Sequence, residues 1–87
     1  MYIVVNHTIN NTEDFWTSAQ KHLPNLPEGG VRRVLHVFPN QAMDNCTCVW
    51  EADSIEKLEQ YFQDKLAHAS TQTCFQVNEA AAVGLEV

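Results

Sequence analysis

Apolar and polar residues change their spacing several times along this 87-residue chain, and each change marks an element. The longest coherent stretch is Val31 to Ala52, VRRVLHVFPNQAMDNCTCVWEA, which reads as one long β-hairpin. Its arms, VRRVLHVF and CTCVWEA, are dense in β-branched, aromatic and thiol side chains that suit a pleated surface. Between them, Pro39 to Asn45 supplies turn chemistry and no helical period. Upstream, Tyr2 to Ile9 is a strand whose Ile3-Val4-Val5 core is apolar on both faces, as expected of a central strand. Asn10-Asn11-Thr12 then offers N-cap oxygens, and Glu13 and Asp14 place negative charge in a first helical turn. Phe15, Ala19 and Leu23 recur every four residues, with Trp16 widening the stripe, so an amphipathic helix follows until Pro24 stops it. Asn25 to Gly30 is a loop leading into the hairpin.

Beyond the hairpin, Asp53-Ser54-Ile55-Glu56 has the form of a capping box with Asp53 as the cap. Ile55, Leu58, Phe62, Leu66 and Ala69 follow a 3, 4, 4, 3 spacing, with Tyr61 beside them, which predicts a helix from about Ser54 to His68. Thr71 to Val77 alternates as a last strand. Asn78 to Val87 is a short tail with a helical turn at Glu79 to Ala82.

The order is β-α-β-β-α-β in one domain, residues 1–87. Two strand–helix–strand units with right-handed crossovers, fused through a hairpin, give a ferredoxin-like α+β fold. Its four-stranded antiparallel sheet has the first and third strands in the middle and both helices on one face. Aligning the hairpin with Phe38 opposite Asn45 places Arg32 opposite Glu51, Val34 opposite Val49 and His36 opposite Thr47. The other face then carries Val37, Leu35 and Arg33 against Cys46, Cys48 and Trp50, and is the one expected to hold the helices. Two short helices cover one side of a sheet only. The uncovered side, with Val34, Phe38 and Val49 among polar neighbours, would expose more apolar surface than monomers tolerate. A homodimer packed through this open face is the expected partner arrangement.

Composition narrows the function classes. Eleven acidic residues against five Lys and Arg give a net charge of −6, which argues against nucleic acid, normally met by a basic stripe, and against an anionic membrane surface. Neither a membrane span nor a signal peptide can be read in the sequence. Three cysteines is an odd number, and Cys46 and Cys48, two apart on a strand, are awkwardly placed for a mutual disulfide. Free thiols in a reducing cytoplasm is the resulting expectation.

The chain order, with YIVVNHTI at the start, LPEGG before the hairpin and CVWEADS leading into the second helix, resembles the dimeric α+β barrel superfamily. Within it, the chain is similar to small ferredoxin-like domains of unknown function whose third strand ends in an aromatic-Glu-Ala motif, here Trp50-Glu51-Ala52. The resemblance implies a homodimer. It leaves the activity open among cofactor-free monooxygenases of antibiotic biosynthesis, stress-responsive barrels and metal binders.

Candidate chemistry gathers at one end of the sheet. Arg32 lies across from Glu51, and with the first and third strands taken as parallel, Asn6 and His7 finish at that same end. The cluster is either a structural ion pair with polar neighbours or a ligand-orienting site. His36 is the best single metal-ligand candidate, although a solvated histidine suits the position as well. His22 and His68 close helices, where capping explains them, and Cys46 and Cys48 fit as small core residues. No nucleophile elbow and no phosphate-cradling glycine loop is present. Trp50, Phe38, Tyr2 and His36 are compatible with a cofactor-free oxygenase and equally with a plain core. The expected function is a homodimeric small-molecule or metal-ion binding module with Asn6, His7, Arg32, His36 and Glu51 toward the ligand. The alternative is a monooxygenase-like or isomerase-like enzyme, and the residues name no cofactor.

Overall fold

β1 (Tyr2–Ile9) is the strand on which the others are assembled. Its alternation sends Ile3, Val5, His7 and Ile9 to a buried face and leaves Val4, Asn6 and Thr8 on the other. The computed structural model describes residues 1–85, so Glu86 and Val87, at the end of the expected tail, lie outside the described residues. The remaining elements are α1 (Thr12–His22), a short 3-10 turn at Leu23–Asn25, β2 (Val31–Pro39), β3 (Asn45–Ala52), α2 (Ile55–Leu66) and β4 (Ser70–Gln76). The strand order is β2-β3-β1-β4, with every neighbouring pair antiparallel. The expected βαββαβ order and the central place of the first and third strands are therefore found.

Both helices begin where short polar side chains stand in for missing backbone partners. Asn11 caps α1, its Oδ1 accepting from the Asp14 N–H at 3.0 Å. For α2 the cap is Ser54, not Asp53: the Ser54 hydroxyl accepts from the Lys57 N–H at 3.1 Å. Asp53 is unavailable because its carboxylate is held by Arg32 at 2.8 Å and faces Lys57 at 3.8 Å. Glu79 to Ala82, read as a helical turn, begins with a single turn closed by the Ala81 N–H on the Asn78 carbonyl.

Phe15 of α1 and Leu58, Tyr61, Phe62 and Leu66 of α2 bury themselves on the sheet against Ile3, Val5, Cys48, Trp50 and their neighbours. Full burial of a side chain such as Phe62 or Leu58 stabilises by about 1.5–3 kcal/mol. Cys46, Cys48 and Trp50 face the helices, as expected. The register of β2 against β3 differs from the expected one, because Phe38 pairs with Thr47, His36 with Val49 and Arg33 with Glu51. Two bulges, between Val31 and Arg33 and between Val34 and His36, each insert a residue and reverse the pleat. Val34, expected on the open face, is thereby carried opposite Trp50 and packs against the core.

The loop before β2 turns through two left-handed glycines. At Gly30 (φ +84°), an added Cβ would fall 2.5 Å from Lys57 Cδ and 3.3 Å from Asp53 Oδ2, while its carbonyl accepts the Asp53 N–H. Gly30→Ala should lower stability by about 1–3 kcal/mol in urea denaturation, and an unchanged midpoint would show that the loop relaxes freely.

Candidate functional site

The sheet separates the expected site residues instead of gathering them. Because β1 and β3 are antiparallel, Tyr2 is the residue of β1 that pairs with Glu51, while Asn6 pairs with Thr47. Asn6 is thus about 13 Å along the strand from Glu51. It lies on the open face and accepts from the Thr47 hydroxyl at 2.6 Å. Glu51 is joined by Arg33 at 2.7 Å, and Arg32 by Asp53, so the expected Arg32–Glu51 pair does not form. The bulge beside Arg32 is the physical reason. Both pairs are exposed, where solvent screening leaves little net stabilisation. His36 is half-buried on the open face, stacked on Phe38 with ring centroids 5.4 Å apart. Among the described residues, no three His, Cys, Asp or Glu side chains converge as a metal ion would need.

His7 is the exception, because it lies on the opposite face from Asn6, beneath the helices, and is 2% exposed. Its ring is wedged edge-on between Phe15, at 5.2 Å, and Phe62, at 5.1 Å. Nδ1 lies 3.0 Å from Gln72 Oε1 on β4, and the same oxygen accepts a short hydrogen bond from the Ser70 hydroxyl. An amide oxygen only accepts, so this geometry assigns the ring proton to Nδ1 and leaves Nε2 unprotonated. Burial lowers the His7 pKa below its ordinary 6.5, and the Gln72 hydrogen bond offsets part of that. At neutral pH the ring is an uncharged base.

This ring lines a cavity of about 50 Å³ between the sheet and the two helices. Its floor is His7, Cys48, Trp50, Tyr61 and Phe62, all buried, and its rim includes the half-exposed Trp16, His22, Leu23 and Lys65. The rim is braced by three contacts. Trp16 Nε1 donates to the Met43 carbonyl at 3.2 Å, Ser18 Oγ donates to the Lys65 carbonyl at 2.8 Å, and Lys65 Nζ pairs with Glu28 at 2.9 Å. Lys65 is therefore a cation at the mouth. Inside, burial pushes the Cys48 thiol far up, with the neighbouring Cys46 adding to it, and burial also raises the Tyr61 hydroxyl, followed by the Glu28 charge. Cys46 and Cys48, with sulfurs 3.5 Å apart, are free thiols.

Two groups on this floor have no hydrogen-bond partner among the described residues, the Trp50 indole N–H and the Tyr61 hydroxyl. The indole N–H is turned toward the Cys48 sulfur closely enough to lower its pKa slightly, without reaching hydrogen-bond geometry. Leaving a buried polar group unsatisfied costs about 1–3 kcal/mol, and such groups in a native fold call for an explanation. His7, Trp50 and Tyr61 all line the cavity, but its open wall is apolar, so the space suits the apolar part of a small ligand. Tyr61→Phe should accordingly raise stability by about 1 kcal/mol in thermal or chemical unfolding. A loss of that size would mean the hydroxyl is satisfied in solution.

Part of this site carried a sequence signal. His7 keeps step with Ile3, Val5 and Ile9, so strand parity alone places it on the buried face. Gln72 and Ser70 gave none, since a polar residue on an edge strand is ordinary.

No protein-family model and no curated protein sequence matches this chain. A solved structure does: a candidate antibiotic biosynthesis monooxygenase from Deinococcus radiodurans, similar over 100% of both chains with a TM-score of 0.57 at 13% sequence identity. Likeness at that identity is likeness of fold. It agrees with the topology above, and the chain has the ferredoxin-like α+β fold of that protein.

Proposed function

We propose that this chain is an enzyme acting on a small electron-rich substrate with dioxygen, in the manner of the cofactor-free monooxygenases found in the superfamily its sequence resembles. The observation that carries the reading is His7, a buried neutral imidazole that lines the cavity and has one ring nitrogen tied to Gln72. The similar Deinococcus protein, described as a candidate monooxygenase, supports it at the level of fold. The chemistry asked of the protein is modest. An activated phenol or methylene compound becomes a good reductant of dioxygen once it loses a proton. His7 takes that proton, and the water-poor site keeps the resulting anion from being reprotonated by solvent. The anion passes electrons to dioxygen, a carbon–oxygen bond forms, and the hydroperoxide loses water. In sum, CH₂ plus O₂ gives C=O plus H₂O, with every atom accounted for.

The cavity of about 50 Å³ is smaller than a whole aromatic substrate. The substrate's reactive edge therefore enters, and the rim side chains Trp16, Leu23 and Lys65 move aside. The same small volume favours a second reading, a binding module without turnover.

The assembly belongs to the proposal. Phe38 and Phe75 are 61% and 55% exposed on the sheet face away from the helices, with half-buried Val4 and Val49 between them. A second copy packed there makes the homodimer, with Asn6, His36, Arg33 and Glu51 inside or at the edge of its interface. The three free thiols fit a cytoplasmic setting, and no described helix is long and apolar enough to cross a membrane. The functional test is dioxygen uptake in the presence of anthrones, hydroquinones and related phenols. Protein-dependent uptake supports the enzyme, and saturable binding without uptake supports the module.

A further inference from the structure

The hydrogen bonds around His7 point past the histidine to the strand beside it. β1 and β4 are paired so that His7 stands directly opposite Gln72 and Ile9 opposite Ser70. Ser70 is 5% exposed and follows the same pleat as Gln72, so both side chains turn toward the helices. The Gln72 amide oxygen has two lone pairs. One receives the Ser70 O–H and the other faces His7 Nδ1. We infer that Gln72, steadied by Ser70, is a positioning residue for His7, fixing the tautomer in which Nδ1 carries the proton and Nε2 is the free base.

Among the described residues, no other neighbour of the ring performs this task. Phe15 and Phe62 restrict the ring's rotation but cannot choose between its nitrogens. The titratable groups on the elements around the ring are Cys46 and Cys48 from β3, Tyr61 and Lys65 from α2, and His22 from α1; β4 brings Gln72 and Ser70, which do not titrate, and Cys74 further along the same pleat. The thiols and the phenol are neutral at neutral pH, because burial raises each of them. Lys65, at the rim, is paired with Glu28 and does not hold the ring. An amide at position 72 orients the base without charging it. A carboxylate there would hold the imidazolium and remove the base. The inference rests on His7 being the base of the proposed reaction, but the tautomer itself is observable without any substrate.

The experiment is a long-range ¹H–¹⁵N correlation spectrum of the histidine rings in the folded protein, followed by kinetics on the same variants. In the parent protein His7 should appear with Nδ1 protonated and Nε2 bare, the reverse of the form that predominates for histidine in water. Gln72→Leu should shift the ring to the other tautomer or a mixture and lower kcat by about 10–100-fold, with KM little changed. Gln72→Glu should move the acid limb of the kcat/KM profile upward and lose about tenfold or more of activity near pH 6. Ser70→Ala, which leaves the Gln72–His7 contact possible, should give an intermediate spectrum and guards against a Gln72 variant that fails to fold. A parent spectrum with Nε2 protonated would overturn the inference, because Gln72 would then present its NH₂ to the ring. So would a tautomer indifferent to both substitutions. A tautomer that follows Gln72, together with turnover indifferent to His7, would leave the positioning intact and sink the oxygenase reading.

Discussion

Replacing His7 with leucine should lower the turnover of an electron-rich substrate by about 10²–10⁴-fold while leaving the protein folded. Leucine fills much of the ring's space between Phe15 and Phe62, and Gln72 retains its bond to Ser70. What is lost is the buried imidazole that lines the cavity. The acid side of the pH–rate profile should vanish with it, because burial depresses the His7 pKa below 6.5 and the neutral base persists into mildly acidic solution. The same shift makes a statement about folding. Between the depressed native value and 6.5, the unfolded chain binds the proton and the native chain does not, so stability rises with pH across that window. The contribution is complete above about 6.5 and declines as the pH falls toward the native value. Urea midpoints of the parent should therefore fall between pH 7 and pH 5 more steeply than those of His7→Leu. Parallel slopes would mean the ring is charged, or solvated, in the folded protein.

Val49→Glu should convert a dimer into a monomer, or leave the chain unable to fold. Val49 lies near the centre of the uncovered sheet face, between His36 of β2 and Val4 of β1, with Phe38 and Phe75 toward its edges. A stable interface on that face would bury about 1,200 Å² or more in total, and a carboxylate at its middle has no partner to offset its lost hydration. Light scattering should give twice the chain mass for the parent and the single-chain mass for the variant. A monomeric parent at tens of micromolar would remove the dimer, and with it the explanation for two exposed phenylalanines.

The fold was legible because it is written in periodicities that survive small errors. The 3, 4, 4, 3 spacing from Ile55 to Ala69 marks α2, and the alternation in CTCVWEA marks the face that Cys46, Cys48 and Trp50 turn to the helices. The site was less legible, since it depends on register and strand direction. Nothing in VRRVLHVF announces two bulges, and with them the guanidinium opposite Glu51 changes from Arg32 to Arg33. Taking β1 and β3 as parallel brought Asn6 and His7 to the wrong end of the sheet, whereas a single sheet with antiparallel neighbours sends them to the opposite end. His7 was the recoverable residue, through its parity with Ile3, Val5 and Ile9. Its partners Gln72 and Ser70 come from a strand more than sixty positions further along the chain. No local pattern encodes that pairing.

The claim that most of this account depends on is that substrate and dioxygen meet in the cavity at His7. It is tested most directly with an oxygen electrode and mass spectrometry of the product, using the parent and His7→Leu with an anthrone or hydroquinone series. The expected result is one dioxygen consumed per substrate, a product that has gained one oxygen and lost two hydrogens, and a rate that collapses in the variant. Uptake no faster than in buffer across the series, hydrogen peroxide released in step with uptake, or equal rates for the two proteins would contradict it.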